Sequence, residues 1–242
     1  MTPHSPLLSI CAPAYDEEEC IDATVRSWLA MFDANALDGE IVVANDGSRD
    51  RTGAILAALA EQDARVRTVT LGGNNGYGRA LRAAITAARG ELVATIDSDG
   101  QFDPNDIPRM LARLRAERLD FVNGRRKKND TPLRVAADRG LNLTVRALFG
   151  TSLRDTNCAI KLVRRAWLAS ADLRATGFAT PTEMVLCAEH DGLAVAEIRV
   201  AHLERAGGES KLEIVRTSVD TLRFLVALRR RIGRRAVYGP KR

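Results

Sequence analysis

The sequence is poor in the residues that tie a chain to a structural metal, a disulfide network or a bilayer. Its four cysteines, Cys11, Cys20, Cys158 and Cys187, form no CxxC pair, and its three histidines stand far apart. Neither a disulfide framework nor a zinc site is indicated, and reduced thiols are expected. Aromatic residues make up only 5% of the chain. The basic residues are not interleaved with them, which argues against a nucleic-acid partner. Unbroken apolar runs such as FLVAL fall far short of the roughly 20 residues that cross a bilayer. The opening MTPHSPLLSICAPAYDEEE has neither a basic leader nor a long enough apolar segment for a secretory signal, so a cytoplasmic location is expected. No internal repeat, low-complexity tract or Ser/Gly-rich linker divides the chain. At 242 residues and 45% hydrophobic content, one compact core is the expectation.

What is present is unevenly placed charge and a regular alternation of elements. The net charge is +5, and the closing RFLVALRRRIGRRAVYGPKR is cationic with almost no acids. An anionic partner is expected at that end. Apolar, β-prone runs (LLSICAPA, EIVVAND, VRTVTLG, ELVATID and LDFVNG) alternate with segments whose apolar residues recur every three to four positions. These are DEEECIDATVRSWLAMF, DRTGAILAALAEQ, GYGRALRAAITAARG and PNDIPRMLARLRAER. The rhythm predicts an α/β fold, a parallel sheet covered by helices on both faces. It fades after about Arg125, where variation on the same sheet is expected.

In open α/β sheets ligands sit beyond the carboxyl ends of the strands. Three polar clusters fall at such ends: YDEE after the first run, NDGSRD after the second and DSDGQ after the fourth. The glycine cluster GGNNGYG follows the third run, whereas a dinucleotide fingerprint belongs after the first, so a nicotinamide cofactor is excluded. NDGS by itself is accounted for by a turn with a helix cap. Asp97 and Asp99, two residues apart with Gln101 beyond, suit oxygen ligation of Mg2+ or Mn2+. Asp103, before Pro104 at a predicted helix start, is expected to serve helix amides.

Six segments in order resemble the inverting glycosyltransferases of family 2, in particular the dolichol- or polyprenol-phosphate mannose and glucose synthases. They are APAYDEEE, NDGSRDRT, NNGYGRALRAAITAARGELVATIDSDGQFDP, GRR, RDTNCAIKLVRR and RAGGESKL. The resemblance covers nearly the whole chain and implies a GT-A type, Rossmann-like, mostly parallel sheet. It also implies transfer of a hexose, mannose or glucose, from GDP-mannose or UDP-glucose to a polyprenyl phosphate. Pro13, Tyr15, Glu17 and Asp46 are then expected to hold the nucleoside. Asp97, Ser98, Asp99 and Gln101 are expected to hold diphosphate and metal, and Arg125, Arg205 and Lys211 to contact phosphates. Asp99, Asp155, Arg205 and Lys211 form the implied catalytic set. Asp155 matches the family's proposed catalytic aspartate, and four tasks stand open for it: a base, an acceptor-orienting group, a ligand of a second cation, or a partner of Lys161.

The sequence departs from the family pattern at Asp16 (usually Asn), Asn45 (usually Asp) and Ala159-Ile160 (usually Gly-Phe). Cys158 and His202 are expected to be structural, and Glu183 to be a first-turn helix carboxylate. Residues 1–211 are expected to form the glycosyltransferase domain, and 212–242 an amphipathic helix with a basic tail. Val215, Val219, Leu222 and Val226 form a stripe on that helix, ending in clustered arginines. The stripe suggests peripheral attachment to the cytoplasmic face of a membrane, directly or through a membrane-anchored partner; the alternative is an ordinary packed helix with a solvated tail. Transfer to a soluble or polysaccharide acceptor is the alternative within enzymes, and a non-catalytic nucleotide-binding module is the alternative outside them.

Overall fold

The five apolar runs become strands because each is short and apolar, and all but the edge run VRTVT are largely buried on both faces, which leaves the backbone only a sheet in which to satisfy its amides. The computed structural model describes residues 5–126, 132–203 and 214–233. In it the runs are β1 (Leu8–Ala14), β2 (Gly39–Asn45), β3 (Val66–Thr70), β4 (Leu92–Thr95) and β5 (Phe121–Arg126). Two further strands, β6 (Lys161–Arg164) and β7 (Val195–Val200), complete a seven-stranded sheet of order β3-β2-β1-β4-β6-β5-β7. All neighbours pair in parallel except β6, which runs antiparallel to both β4 and β5. The sheet is therefore mostly parallel, as expected, with one reversed strand inside it.

Helices cover both faces. On one side α1 (Ile21–Ala34), α2 (Thr52–Gln62) and α4 (Asp106–Ala116) bury Trp28, Phe32, Leu56, Met110 and their neighbours against Ile10, Ile41 and Leu162. On the other side lie α3 (Tyr77–Ala87), α5 (Pro132–Phe149), α6 (Arg165–Ser170), α7 (Thr180–His190) and α8 (Ile214–Ile232). They bury Leu81, Val145, Phe149, Leu168, Met184 and Leu228 against Cys11, Val42 and Val163. A fully buried leucine or phenylalanine contributes about 2 kcal/mol, so each face supplies a real core.

The C-terminal helix is part of this packing. Thr221, Leu225 and Leu228 are buried, whereas Val219, Leu222 and Val226 are between 42% and 46% exposed on the opposite side of α8. Of the two readings of the stripe, packing on the domain is therefore corrected for these three residues: the packed face is the other one. The side chain of Val215 lies outside the described residues.

Candidate functional site

The loops at the carboxyl ends of β1, β2 and β3 are stitched into one platform. After β1, Asp16 adopts a left-handed backbone (φ 50°), a conformation that Asn and Asp tolerate best. Its amide donates to Ser48 Oγ at 3.0 Å, and its carboxylate accepts the Arg49 amide at 2.6 Å. The Glu17 amide donates to Thr52 Oγ1 at 2.8 Å and the Glu18 amide to Asp50 Oδ2 at 3.0 Å. Asn45, in place of an aspartate, accepts the Ser48 amide at 3.0 Å. Gly47 (φ 71°) lies so close to Gly73 that a Cβ would collide with its backbone, which is why NDGS must carry glycine there.

Asp46, expected to hold the nucleoside, has an internal task. It is buried, and its two oxygens accept the amides of Asn75 and Gly76 at 2.8 Å each. It thus fixes the glycine loop leading into α3. Pro13 and Tyr15 are half-buried beside this platform, and Ser98, buried, donates to the Pro13 carbonyl at 2.8 Å.

The aspartate loop follows β4. Asp97 accepts a hydrogen bond from the Tyr77 hydroxyl at 2.9 Å, and Asp99 accepts the Gln101 amide at 3.1 Å. Burial, first, and the negative charge of Asp99, next, push the Asp97 carboxyl up to about 7. The Tyr77 bond and the field of Arg126 pull it back, and Glu17 adds to the rise. Two carboxylates that disfavour each other's ionisation are arranged to gain from an arriving cation. Among the described residues, no group of three or more His, Cys, Asp or Glu is placed to hold an ion. A two-carboxylate site fits Mg2+ or Mn2+, which take one or two carboxylates and complete their shell with water and phosphate oxygens. Gln101 turns its side-chain amide to the Leu203 carbonyl at 3.3 Å, tying this loop to the segment after β7. Asp103 accepts the Asn105 amide at 2.9 Å, closing the turn that leads into α4.

On β5 successive side chains point to opposite faces, and this separates the two arginines of GRR. Arg125, the predicted phosphate contact, lies 3.7 Å from Glu197. Arg126 turns the other way and grips Asp155: its backbone amide and Nε donate to Oδ2 at 3.1 and 2.9 Å, and Nη2 to Oδ1 at 2.9 Å. Asp155 is buried, and Asp138 lies 3.7 Å from the same guanidinium. Lys161, also buried, donates to Asn123 Oδ1 at 2.5 Å and the Thr156 carbonyl at 3.1 Å. Burial pushes its pKa down to about 8. Cys158 is buried and its thiol is pushed up to about 12, chiefly by burial, so it stays an inert core residue.

Glu183 does more than sit in a helix's first turn. Its fully buried carboxylate accepts the amides of Arg174 and Ala175 and pairs with Arg231 of α8 at 2.6 Å. It thereby shapes the loop before α7, whose Thr176 carbonyl accepts the Gly78 amide at 2.8 Å. The same loop carries Phe178, which packs on Tyr77 with ring centroids 5.4 Å apart. His202 packs edge-on against Phe102.

Arg205 and Lys211 lie outside the described residues. Arg126 and Tyr77 were not singled out from the sequence. The second arginine of GRR, in a segment that resembles the family's, was the available signal for one, while Tyr77 was hidden inside a glycine cluster.

The profile of glycosyl transferase family 2 matches residues 9–169. An undecaprenyl-phosphate 4-deoxy-4-formamido-L-arabinose transferase of Pseudomonas aeruginosa (strain LESB58) is 36% identical over 222 residues, covering 87% of this chain and 61% of that protein. The protein of the same name from Shewanella sediminis (strain HAW-EB3) is 34% identical over 216 residues, covering 84% and 61%. The chain thus spans about three fifths of the length of these relatives. Among solved structures, glucosyl-3-phosphoglycerate synthase from Mycobacterium tuberculosis, in complex with Mn2+ and UDP-glucose, superposes with a TM-score of 0.72. The identity is 22%, over 96% of this chain and 81% of that one.

Proposed function

The chain belongs to glycosyl transferase family 2, and from that premise we propose that it moves a sugar from a nucleoside diphosphate to a polyprenyl phosphate, with a divalent cation at Asp97 and Asp99. Its sheet is of the GT-A type. The observation that carries the proposal is the pair of carboxylates at the end of β4, where burial and the neighbouring Asp99 push the Asp97 carboxyl up to about 7, with Arg126 in its field. Donor diphosphate and acceptor phosphate are both anions, and their repulsion must be offset before the acceptor oxygen approaches the sugar. When bound, the cation supplies Lewis-acid stabilisation of the departing diphosphate. Arg126 and, as proposals of the family pattern, Arg125, Arg205 and Lys211 supply positive charge around it. Pro13, Tyr15 and Glu17 border the platform where the nucleoside is proposed to lie.

A phosphate monoester has a second pKa near ~6, so its oxygen is already anionic at neutral pH and needs no strong base. With Asp155 occupied by three hydrogen bonds from Arg126, its proposed task is to orient that arginine toward the phosphates.

The relatives are named for undecaprenyl phosphate and for 4-deoxy-4-formamido-L-arabinose, which supports the lipid acceptor and widens the range of sugars beyond mannose and glucose. The test is turnover of a short polyprenyl phosphate with GDP-mannose, UDP-glucose and a nucleotide-linked formamido-arabinose. Transfer from one of these, dependent on Mg2+ or Mn2+, is the expected result. Transfer only to a soluble acceptor or a polysaccharide, or nucleotide binding without transfer, overturns the proposal.

Among the described residues no helix is long and apolar enough to cross a membrane. The exposed face of α8 combines Val219, Leu222 and Val226 with exposed Arg223 and Arg230. Apolar insertion flanked by cations suits an anionic leaflet, each arginine contributing about 1 kcal/mol. This face is the proposed point of peripheral attachment, on the cytoplasmic side, to lipid carrying the acceptor. Leu222→Asp combined with Val226→Asp is expected to abolish co-sedimentation with anionic vesicles at low salt. Unchanged binding of the variant assigns attachment to another segment, and failure of the unaltered chain to bind such vesicles assigns it to an anchoring protein.

A further inference from the structure

Tyr77 opens α3, with Gly76 (φ 92°) as the residue before it, and it meets three separate parts of the fold. From behind, Asp46 fixes the amides of Asn75 and Gly76. From the side, the ring packs on Phe178, and the Gly78 amide donates to the Thr176 carbonyl of the same loop. That loop is itself braced by Glu183, which holds the Arg174 and Ala175 amides and pairs with Arg231. In front, the phenol donates to Asp97 Oδ1 at 2.9 Å.

A carboxylate rotates easily about its last bond, so a donor held at one oxygen fixes the plane and therefore the direction of the other. The phenol is suited to this. A phenol hydroxyl is a neutral donor, so it orients the carboxylate without cancelling its charge. An arginine in its place would neutralise the site and compete with a cation. Among the described residues, Asp97 Oδ2 receives no hydrogen bond, so the second oxygen is left for an incoming ligand.

We propose that Tyr77 is a positioning residue of the donor site, its hydroxyl holding the Asp97 carboxylate in the orientation that receives a divalent cation together with the donor diphosphate. The inference rests on the metal reading above, and the experiment separates the two. Mn2+ binding to the full chain is measured by electron paramagnetic resonance, alone and with UDP, for wild type, Asp97→Asn, Tyr77→Phe and Phe178→Leu, with thermal unfolding alongside. Outer-shell partners of metal ligands typically change affinity by about 10- to 100-fold. Tyr77→Phe is expected to raise the Mn2+ Kd about tenfold with little change in Tm. Phe178→Leu, at a ring 39% exposed, keeps the hydroxyl but loosens its support and is expected to raise the Kd two- to threefold, roughly, by the same reasoning. Asp97→Asn is expected to lose binding. Wild-type Kd values in Tyr77→Phe and Phe178→Leu, with binding lost in Asp97→Asn, overturn the role of Tyr77 alone. Wild-type binding in Asp97→Asn overturns the metal reading, and this inference with it.

Discussion

Asp97, at the end of β4, and Asp155, in the segment before β6, both feel the charge of Arg126, yet they are held by different partners. Arg126 embraces Asp155 through its backbone amide, Nε and Nη2. On Asp97 it exerts only a weaker pull, outweighed by burial and by Asp99, so that this carboxyl rises to about 7. A fixed partner makes a carboxylate a structural anchor that keeps an arginine aimed. Withholding such a partner, and placing a second carboxylate two residues away, gives the site that we propose a cationic ligand completes. One fold thus uses aspartate for two purposes, and the difference lies in the neighbours.

The largest effect expected from this contrast is at the aspartate loop. Asp99→Ala is expected to lower transfer by more than about a thousandfold, roughly 4 kcal/mol, because the proposed metal ligand and diphosphate contact is lost. Its Tm is expected to hold or rise, since the substitution relieves repulsion on Asp97. Turnover assays paired with thermal unfolding test both halves. A large drop in Tm makes Asp99 an anchor like Asp155 and dissolves the comparison.

The next effect is on the other carboxylate. Arg126→Met leaves Asp155 buried without its guanidinium, and breaking such a pair costs about 3 kcal/mol or somewhat more. Urea unfolding is expected to show that loss. The double variant Arg126→Met with Asp155→Leu is expected to recover much of it, because the isolated charge is gone. A fully active Asp155→Asn variant supports orientation over base catalysis; a loss of turnover at unchanged stability restores the base.

These two regions were not equally legible in the sequence. β1 to β5 and α1 to α4 were readable because each run is apolar and bounded by turn residues, and the aspartate loop was readable because Asp97 and Asp99 stand two residues apart at a strand end. β6 was not: it has four residues, begins with Lys161 and ends with Arg164, so it lacks the apolar signature of the sheet interior it occupies. The choice between Arg125 and Arg126 depends on strand register, where a shift of one residue exchanges the faces. α8 is apolar on two opposite sides, Leu225 with Leu228 and Val219 with Val226, so periodicity alone does not say which side packs. Glu183 was seen as a helix-start carboxylate, but its partner Arg231 lies 48 residues away and is unreadable without the fold.

Glu183 extends the comparison to a third carboxylate, buried and bound to an arginine as Asp155 is. Its anchoring is less exclusive, because the Arg174 and Ala175 amides also hold it. Arg231→Met is therefore expected to cost less than Arg126→Met, about 2 kcal/mol. It is also expected to loosen the loop that carries Phe178. Hydrogen exchange at the Arg174 and Ala175 amides checks this directly. Unchanged protection in the variant shows that α8 rests on the domain without bracing that loop.

The smallest effect is a slope with pH, and it tests whether the Asp155 side keeps its cations. Lys161 lies fully buried between Asn123 and the Thr156 carbonyl, and burial outweighs the pull of Cys158 and Asp155 to push its pKa down to about 8. In the unfolded chain a lysine titrates near ~10.4. Below about 8 both states carry the proton, and the cost of burying the ammonium is present in full. Between about 8 and 10.4 the unfolded chain retains a proton that the folded one has released, so the stability contributed at this position rises with pH. It is fully present above the unfolded value and is lost as pH falls through the folded one. At 1.36 kcal/mol per unit, the gain between pH 7 and pH 9 is on the order of 1 kcal/mol. Buried thiols such as Cys158, raised to about 12, act in the opposite direction over a neighbouring range, so the slope is read by difference. Wild type and Lys161→Met are unfolded in urea at several pH values, and the gap between them is expected to shift in favour of wild type as pH rises from 7 to 9. Parallel curves show that Lys161 stays charged throughout, held by the carboxylates near it, and the region around Asp155 then keeps its full complement of positive charge across the working range.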